Sequence, residues 1–308
     1  MIALPPSELS NAAYQWLYHA SGSFLHTIYK KSPAHAKHAQ AKESEALSIG
    51  ISAHAMLLEP ESFEKDFERD FDASIYENIM VTANDLKAWL KEAGMKTSGS
   101  KAELIDRILT ADNTVHIADV LQKEHEEKHE GKTLIKPETF DDITAMRQVI
   151  LKDDEMAAMI ENGFAEYSLI TTIDGVACKS RPDLITSAGG IIQYKTTTDC
   201  HPNEFGVKAY GYGYFLKAAL EWRSFKAVYG TNPKYYIFLV QEKTFPYIWK
   251  PSYIDLNSDA MIIGMAQLDL ALRMCRQSVE TNRWQAYGTN IEEVQLPEYL
   301  KRQYGLGA

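Results

Sequence analysis

Asp183, Gln193 and Lys195 are the residues whose types and spacing could do chemistry together. Asp183 ends the run Ser180-Arg181-Pro182-Asp183, and Gln193-Tyr194-Lys195 begins ten residues later. Between them, Leu184-Ile185-Thr186, Gly189-Gly190 and Ile191-Ile192 read as strand, tight turn and strand. The strands of such a hairpin lie about 5 Å apart. Side chains alternate with period two, so positions 193 and 195 share a face and can converge with Asp183. A carboxylate, a second ligand position and a lysine at one hairpin suit metal-dependent phosphodiester hydrolysis. The carboxylate holds Mg²⁺, and the lysine orients a water or steadies developing phosphate charge.

Other elements must position these groups. Glu166-Tyr167-Ser168 leads into an apolar run that closes on Asp174-Gly175, a two-residue hairpin signal. The spacing predicts a three-stranded meander over 166–195, with Glu166 on the strand flanking Asp183. Taken alone, Glu166 reads as a surface residue at a strand start. Upstream, Gly50 to Glu59 reads as a helix stopped by Pro60, with His54 one turn in. A lone His on an apolar helix is ordinarily structural. Downstream, Tyr210–Trp222 reads as one helix. Tyr235–Val240 and Tyr247–Trp249 read as strands, and 258–282 as a long helix.

In this order the pieces resemble the RecE (exonuclease VIII) branch of the PD-(D/E)XK nuclease superfamily, relatives of lambda exonuclease. The resemblance is carried by Leu9-Ser10-Asn11-Ala12 with Lys31-Ser32-Pro33-Ala34-His35, by Gly50…His54…Leu58-Glu59-Pro60, by Glu166-Tyr167-Ser168, and by Arg181-Pro182-Asp183 followed by Tyr194-Lys195-Thr196-Thr197. It implies a restriction-endonuclease-like α/β (α+β) core with a central mixed sheet flanked by helices. It also implies Mg²⁺, with Mn²⁺ as a substitute. His54, Asp183, position 193 and the backbone carbonyl of Tyr194 would be ligands to two ions, Asp183 bridging them and His54 and position 193 holding one each; Lys195, which would position the water, and Glu166 would join Asp183 and Gln193 in catalysis. The family expects Asp or Glu at 193. Gln193 offers an amide oxygen without charge, so two readings stay open: an impaired exonuclease, restored by Gln193→Glu, or a DNA-binding protein on a disabled nuclease fold. On the helix after the lysine, where the branch often carries Gln and Tyr, this chain has Lys217 and Glu221. Lys208, Tyr210 and Lys217 are candidate DNA contacts.

Residues 79–112 form a second unit inside the first. Thr82…Asp85 and Ser100…Glu103 have the spacing of capping boxes, and Leu86, Trp89, Leu90 and Leu104, Ile105, Ile108 make helical apolar stripes. The pattern resembles a SAP motif, a small DNA-binding helical hairpin. Lys96, Gly99 and Lys101 stand at its turn and second helix start, where free N–H groups favour phosphate. The nuclease domain is then 1–78 with 113–308, interrupted by this insertion.

Composition narrows the rest. A chain of 308 residues with 45% hydrophobic content has ample material for a core. Three cysteines without paired spacing point to a reducing compartment and away from structural zinc or a four-cysteine cluster. No run of 18 apolar residues suggests a membrane span, so a cytoplasmic location is expected. A net charge of −10 argues against nonspecific coating of DNA. The expected activity is exonucleolytic digestion of double-stranded DNA ends in phage-type recombination, by a homo-oligomeric ring that hands the exposed strand to a single-strand annealing protein. An endonuclease of the same superfamily would share every motif.

Overall fold

The computed structural model describes residues 1–40 and 45–306. Among these, the strands in chain order are β1 (Ile2–Leu4), β2 (Phe67–Arg69), β3 (Thr133–Ile135), β4 (Phe164–Ala165) and β5 (Ser168–Ile173). They continue with β6 (Val176–Ser180), β7 (Leu184–Ile185), β8 (Ile191–Thr197), β9 (Tyr236–Glu242) and β10 (Trp249–Ile254). The central sheet has the order β10-β9-β8-β7-β4. It is mixed: β8 and β9 run parallel, and the other neighbours antiparallel. A second sheet, β1-β5-β6, is antiparallel, and β2 pairs β3 in parallel. This is the mixed α/β architecture that the sequence implies.

The run Ile191-Ile192-Gln193-Tyr194 is buried throughout because helices cover both faces of the central sheet. Ile191, Phe238 and Val240 pack with Leu216 and Leu220 of the Tyr214–Tyr229 helix and Leu268 and Leu272 of the Asp259–Thr281 helix. Ile192, Tyr194 and Leu239 face the other way, onto Ala53 and Leu57 of the Glu45–Leu58 helix and Ile143 and Met146 of the Pro137–Leu151 helix. Period-two alternation therefore sends Gln193 and Lys195 to the first face and Tyr194 to the second. Burying a side chain such as Leu239 stabilises the fold by about 2 kcal/mol.

The structure corrects the three-stranded meander. β5 and β6 form a hairpin through Asp174 and Gly175, both at positive φ (49° and 81°), as the Asp-Gly signal requires. That hairpin belongs to the second sheet, while β4, β7 and β8 belong to the first. The chain thus crosses between sheets twice, at 166–167 and at 181–183. Glu166 lies on neither strand; its backbone is left-handed (φ 56°) at the first crossing. Asp183 lies at the second crossing, immediately before β7.

A second correction concerns Tyr210–Trp222, which is two helices, Pro202–Gly211 and Tyr214–Tyr229. Gly213 takes φ 71° between them, and a Cβ there would lie 2.2 Å from the His26 ring. Only glycine fits this turn, so Tyr210 and Lys217 stand on different helices. Together the two helices make the crossover that parallel β8 and β9 need. The Glu45–Leu58 helix ends before Pro60, which opens the next helix. The Asp259–Thr281 helix is capped by Ser258 and stops at Asn282, itself left-handed.

The insertion folds as two helices, Ala83–Glu92 and Lys101–Ala111, each opened by a complete capping box. Leu86, Leu90, Leu104 and Ile108 form a separate apolar cluster with Met80 and Ile117, and Val120 packs against it, so the cluster runs past residue 112. No helix of the described residues is long and apolar enough to cross a membrane.

Candidate active site

The two crossings between sheets bring the acids together, and the Glu45–Leu58 helix adds His54. The His54 Nε2 lies 3.4 Å from Glu166 Oε1 and 3.5 Å from Asp183 Oδ1. The other Asp183 oxygen accepts from the Tyr194 N–H at 2.8 Å and from Lys195 Nζ at 2.9 Å. Lys195 Nζ also donates to the Gln193 side-chain oxygen (2.8 Å) and the Tyr194 carbonyl (2.9 Å), using all three of its protons. Asp183, Gln193 and Lys195 therefore meet as their spacing predicts. The Tyr194 ring points to the opposite face, where its hydroxyl donates to Gln241.

Burial and charge compete in this cluster. Burial alone would raise the Asp183 carboxyl, but Lys195 and His54 beside it outweigh burial and hold it at about 2. Burial opposes a charged Lys195, yet Asp183 keeps its ammonium above the ordinary lysine value. His54 is likewise raised, with Asp183 and Glu166 overcoming burial. Glu166 goes the other way: burial, helped by Asp183, pushes it up to about 7. The cluster holds more carboxylates than its own cations satisfy.

His54, Glu59 and Glu166 each offer a ligand atom within 4.8 Å of the others. An ion with bonds of about 2.1 Å spaces its ligands roughly 3 to 4 Å apart; His54, with Glu166 at 3.4 Å and Asp183 at 3.5 Å, has that spacing, and Glu59 stands beside His54 and Glu166. Glu59 was not among the sequence candidates. It reads as a helix end before Pro60, and only the fold turns it toward Glu166.

Glu221 is the second residue that sequence reasoning left out of the site. It comes from the Tyr214–Tyr229 helix and is 7% exposed. Its Oε2 accepts from Gln193 Nε2 at 2.9 Å and from the Tyr236 hydroxyl at 2.8 Å. Burial, reinforced by Asp183, pushes its carboxyl up to about 8, against the pull of these donors and Lys195.

Arg181 ties the N-terminal motif to this centre. It donates to Ser168 Oγ and to the Leu9 carbonyl, lies over the Tyr14 ring, and comes within 3.8 Å of Glu166. Neighbouring Lys179 donates to three backbone carbonyls, of Tyr14, Gln15 and Leu17.

The candidate DNA contacts are scattered. Lys217 lies near the cluster, over the Tyr214 ring; burial and then Lys195 lower its pKa. Lys208 donates to the Thr197 and Thr198 hydroxyls, and Tyr210 is 53% exposed. In the insertion, Lys96 is exposed and Gly99 takes φ 137°. Lys101 is engaged by Asp119 at 2.6 Å and by the Val81 carbonyl, so its charge is already paired. A separate cavity lined by Tyr18, Phe24, Lys37, Lys179 and Trp284 includes none of the cluster residues.

Two solved structures are similar to the chain at low identity. A candidate exonuclease from Eubacterium rectale is 10% identical, with a TM-score of 0.40 over 77% of this chain and 98% of that one. An alkaline exonuclease from Laribacter hongkongensis is 16% identical, with a TM-score of 0.22 over 75% of this chain and 96% of that one. No curated protein matches the chain closely enough to be counted a relative. A family model described as "PDDEXK-like domain of unknown function (DUF3799)" matches residues 23–297, nearly the whole chain, and the chain belongs to that family.

Proposed function

We propose that the chain is a divalent-cation-dependent nuclease that hydrolyses duplex DNA from its ends. One observation carries this reading. The two oxygens of Asp183 divide between His54 on one side and Lys195 on the other. A cation position and a lysine thus flank a single acid, which is the arrangement phosphodiester hydrolysis needs.

Carboxylates with one imidazole suit Mg²⁺ or Mn²⁺. His54, Glu59, Glu166 and Asp183 would hold the ion, with the Gln193 amide oxygen and the Tyr194 carbonyl beside them. When bound, such an ion polarises a phosphoryl oxygen and acidifies water. The chain's own groups do the rest. Asp183 keeps Lys195 charged and fixes its direction, so the ammonium can meet charge developing on the phosphate. Lys217 and Tyr214 line the approach, with Lys208 and Tyr210 farther out. In the helical hairpin, exposed Lys96 and the Lys101–Ala111 helix start suit a DNA backbone in the manner of a SAP motif, while Lys101 contributes less than its sequence position suggests.

Action on ends, assembly into a homo-oligomeric ring, a single-strand annealing partner, a cytoplasmic location and a place in phage-type recombination extend the resemblance to the RecE branch. The rival reading, DNA binding without cleavage, is favoured by the neutral Gln193. Digestion of linear and closed-circular duplex with Mg²⁺, with Asp183→Ala as control, separates them. Loss of linear DNA alone supports an exonuclease. Loss of both forms means an endonuclease. Retained DNA binding with no hydrolysis overturns the nuclease reading.

A further inference from the structure

Gln193 stands where the RecE-type resemblance leads one to expect Asp or Glu, and its surroundings explain how an amide is accommodated. Gln193 is 5% exposed and has two polar edges, one an acceptor and one a donor. Lys195 can only donate, so the edge facing it must be the oxygen, and the distance is 2.8 Å. The nitrogen edge then faces Glu221 Oε2 at 2.9 Å. Glu221 is held in turn by the Tyr236 hydroxyl, from the neighbouring strand β9. Lys195, Gln193, Glu221 and Tyr236 form one chain of hydrogen bonds in which each donor meets an acceptor.

We infer that Glu221 is the positioning residue of this site. It turns the Gln193 amide so that its oxygen faces Lys195 and Asp183, and an acid at one of positions 193 and 221 requires an amide at the other. Glutamate at 193 alone would take away the N–H that Glu221 Oε2 accepts and set two carboxyl oxygens against each other at about 3 Å. The simple expectation that Gln193→Glu repairs the site is thereby reversed. The single change damages it, and the exchange Gln193→Glu/Glu221→Gln preserves it. The role of the oriented oxygen rests on the reading of the Asp183 cluster as a cation site; the pairing itself does not.

Two measurements test this. The first is a thermal double-mutant cycle at pH 8 without divalent cation. Gln193→Glu should lower the melting temperature by about 5 °C, and the exchange should recover most of that loss. Additive losses in the exchange overturn the pairing. The second is the Mn²⁺ dissociation constant from titration calorimetry. Glu221→Leu removes the acceptor and should weaken binding roughly tenfold. Glu221→Gln, whose amide oxygen can still accept, should bind as the parent does. Parental affinity in folded Glu221→Leu overturns the positioning role. Should Glu221→Leu not fold, Gln193→Glu against the exchange decides the same point by the same titration. A parent that binds no Mn²⁺ removes the cation site and the positioning role with it, while the thermal cycle still decides the pairing.

Discussion

The Asp183 cluster and the inserted hairpin hold their polar groups in opposite ways. In the hairpin the two capping carboxylates accept from backbone N–H groups three residues away: Asp85 from Thr82, and Glu103 from Ser100. Glu103 is exposed and Asp85 half-buried, and their pKa values are lowered mainly by those backbone bonds. In the cluster, His54 meets Asp183 and Gln193 meets Glu221 across long stretches of chain. Burial there pushes Glu166 and Glu221 up while Lys195 and His54 hold Asp183 down. Local rules therefore suffice to build the hairpin. The cluster is a balance of opposed charges that a cation would complete.

Removing the centre of that balance should have the largest effect. Asp183→Ala takes a ligand from the proposed cation site and leaves Lys195 half-buried without its carboxylate partner. Cation-dependent DNA hydrolysis should fall at least about a hundredfold. Stability should fall by about 3 kcal/mol in denaturant unfolding. Unchanged hydrolysis would mean that the chemistry lies elsewhere.

A core truncation in the hairpin should be comparable in energy but confined in place. Leu104 is fully buried in the hairpin's own cluster, so Leu104→Ala should cost about 2 to 5 kcal/mol locally. Hydrogen exchange should quicken over 83–111 and leave β8 protected. Equal quickening in β8 would show that the two regions unfold together.

Protons give a smaller effect, and only the cluster should show it. Glu166 at about 7 and Glu221 at about 8 lie above the ordinary glutamate value of 4.5. The folded chain then binds more protons than the unfolded one between those limits, so stability falls as pH rises from about 4.5 toward 8. The raised His54 acts in the same direction. Asp183, held low, has the opposite sign, but only below about pH 4. Urea midpoints without divalent cation should be higher at pH 5.5 than at pH 8, and Mn²⁺ should flatten the difference. Midpoints that climb with pH would contradict the charge balance.

The smallest effects belong to the caps. Thr82→Ala and Ser100→Ala should each cost about 1 kcal/mol of hairpin stability and leave cation binding unchanged. A change in Mn²⁺ affinity would show coupling between the two regions.

How much was legible in the sequence follows the same division. The Asp174-Gly175 turn, both capping boxes and the Ser258 cap are visible because each partner lies within a few residues. The meeting of Asp183 with Gln193 and Lys195 is visible because one hairpin contains all three. The change of sheet at Glu166 is not, since 166–195 alternates like a single meander. It depends on Arg181 reaching the Leu9 carbonyl and Ser168. The break at Gly213 depends on His26 from a distant helix. Glu59 looks like an ordinary helix end, and Glu221 is marked only by standing, with Lys217, where the RecE branch often carries Gln and Tyr. Only the packing of the Glu45–Leu58 and Tyr214–Tyr229 helices on opposite faces of the central sheet turns both toward the site.

His54, Glu59, Glu166 and Asp183 are proposed to hold one divalent cation. Anomalous diffraction from crystals soaked in millimolar Mn²⁺ tests it most directly. A peak is expected about 2.1 Å from ligand atoms of these residues, absent in Asp183→Ala. Strong Mn²⁺ peaks elsewhere, with none among these four side chains, would contradict it.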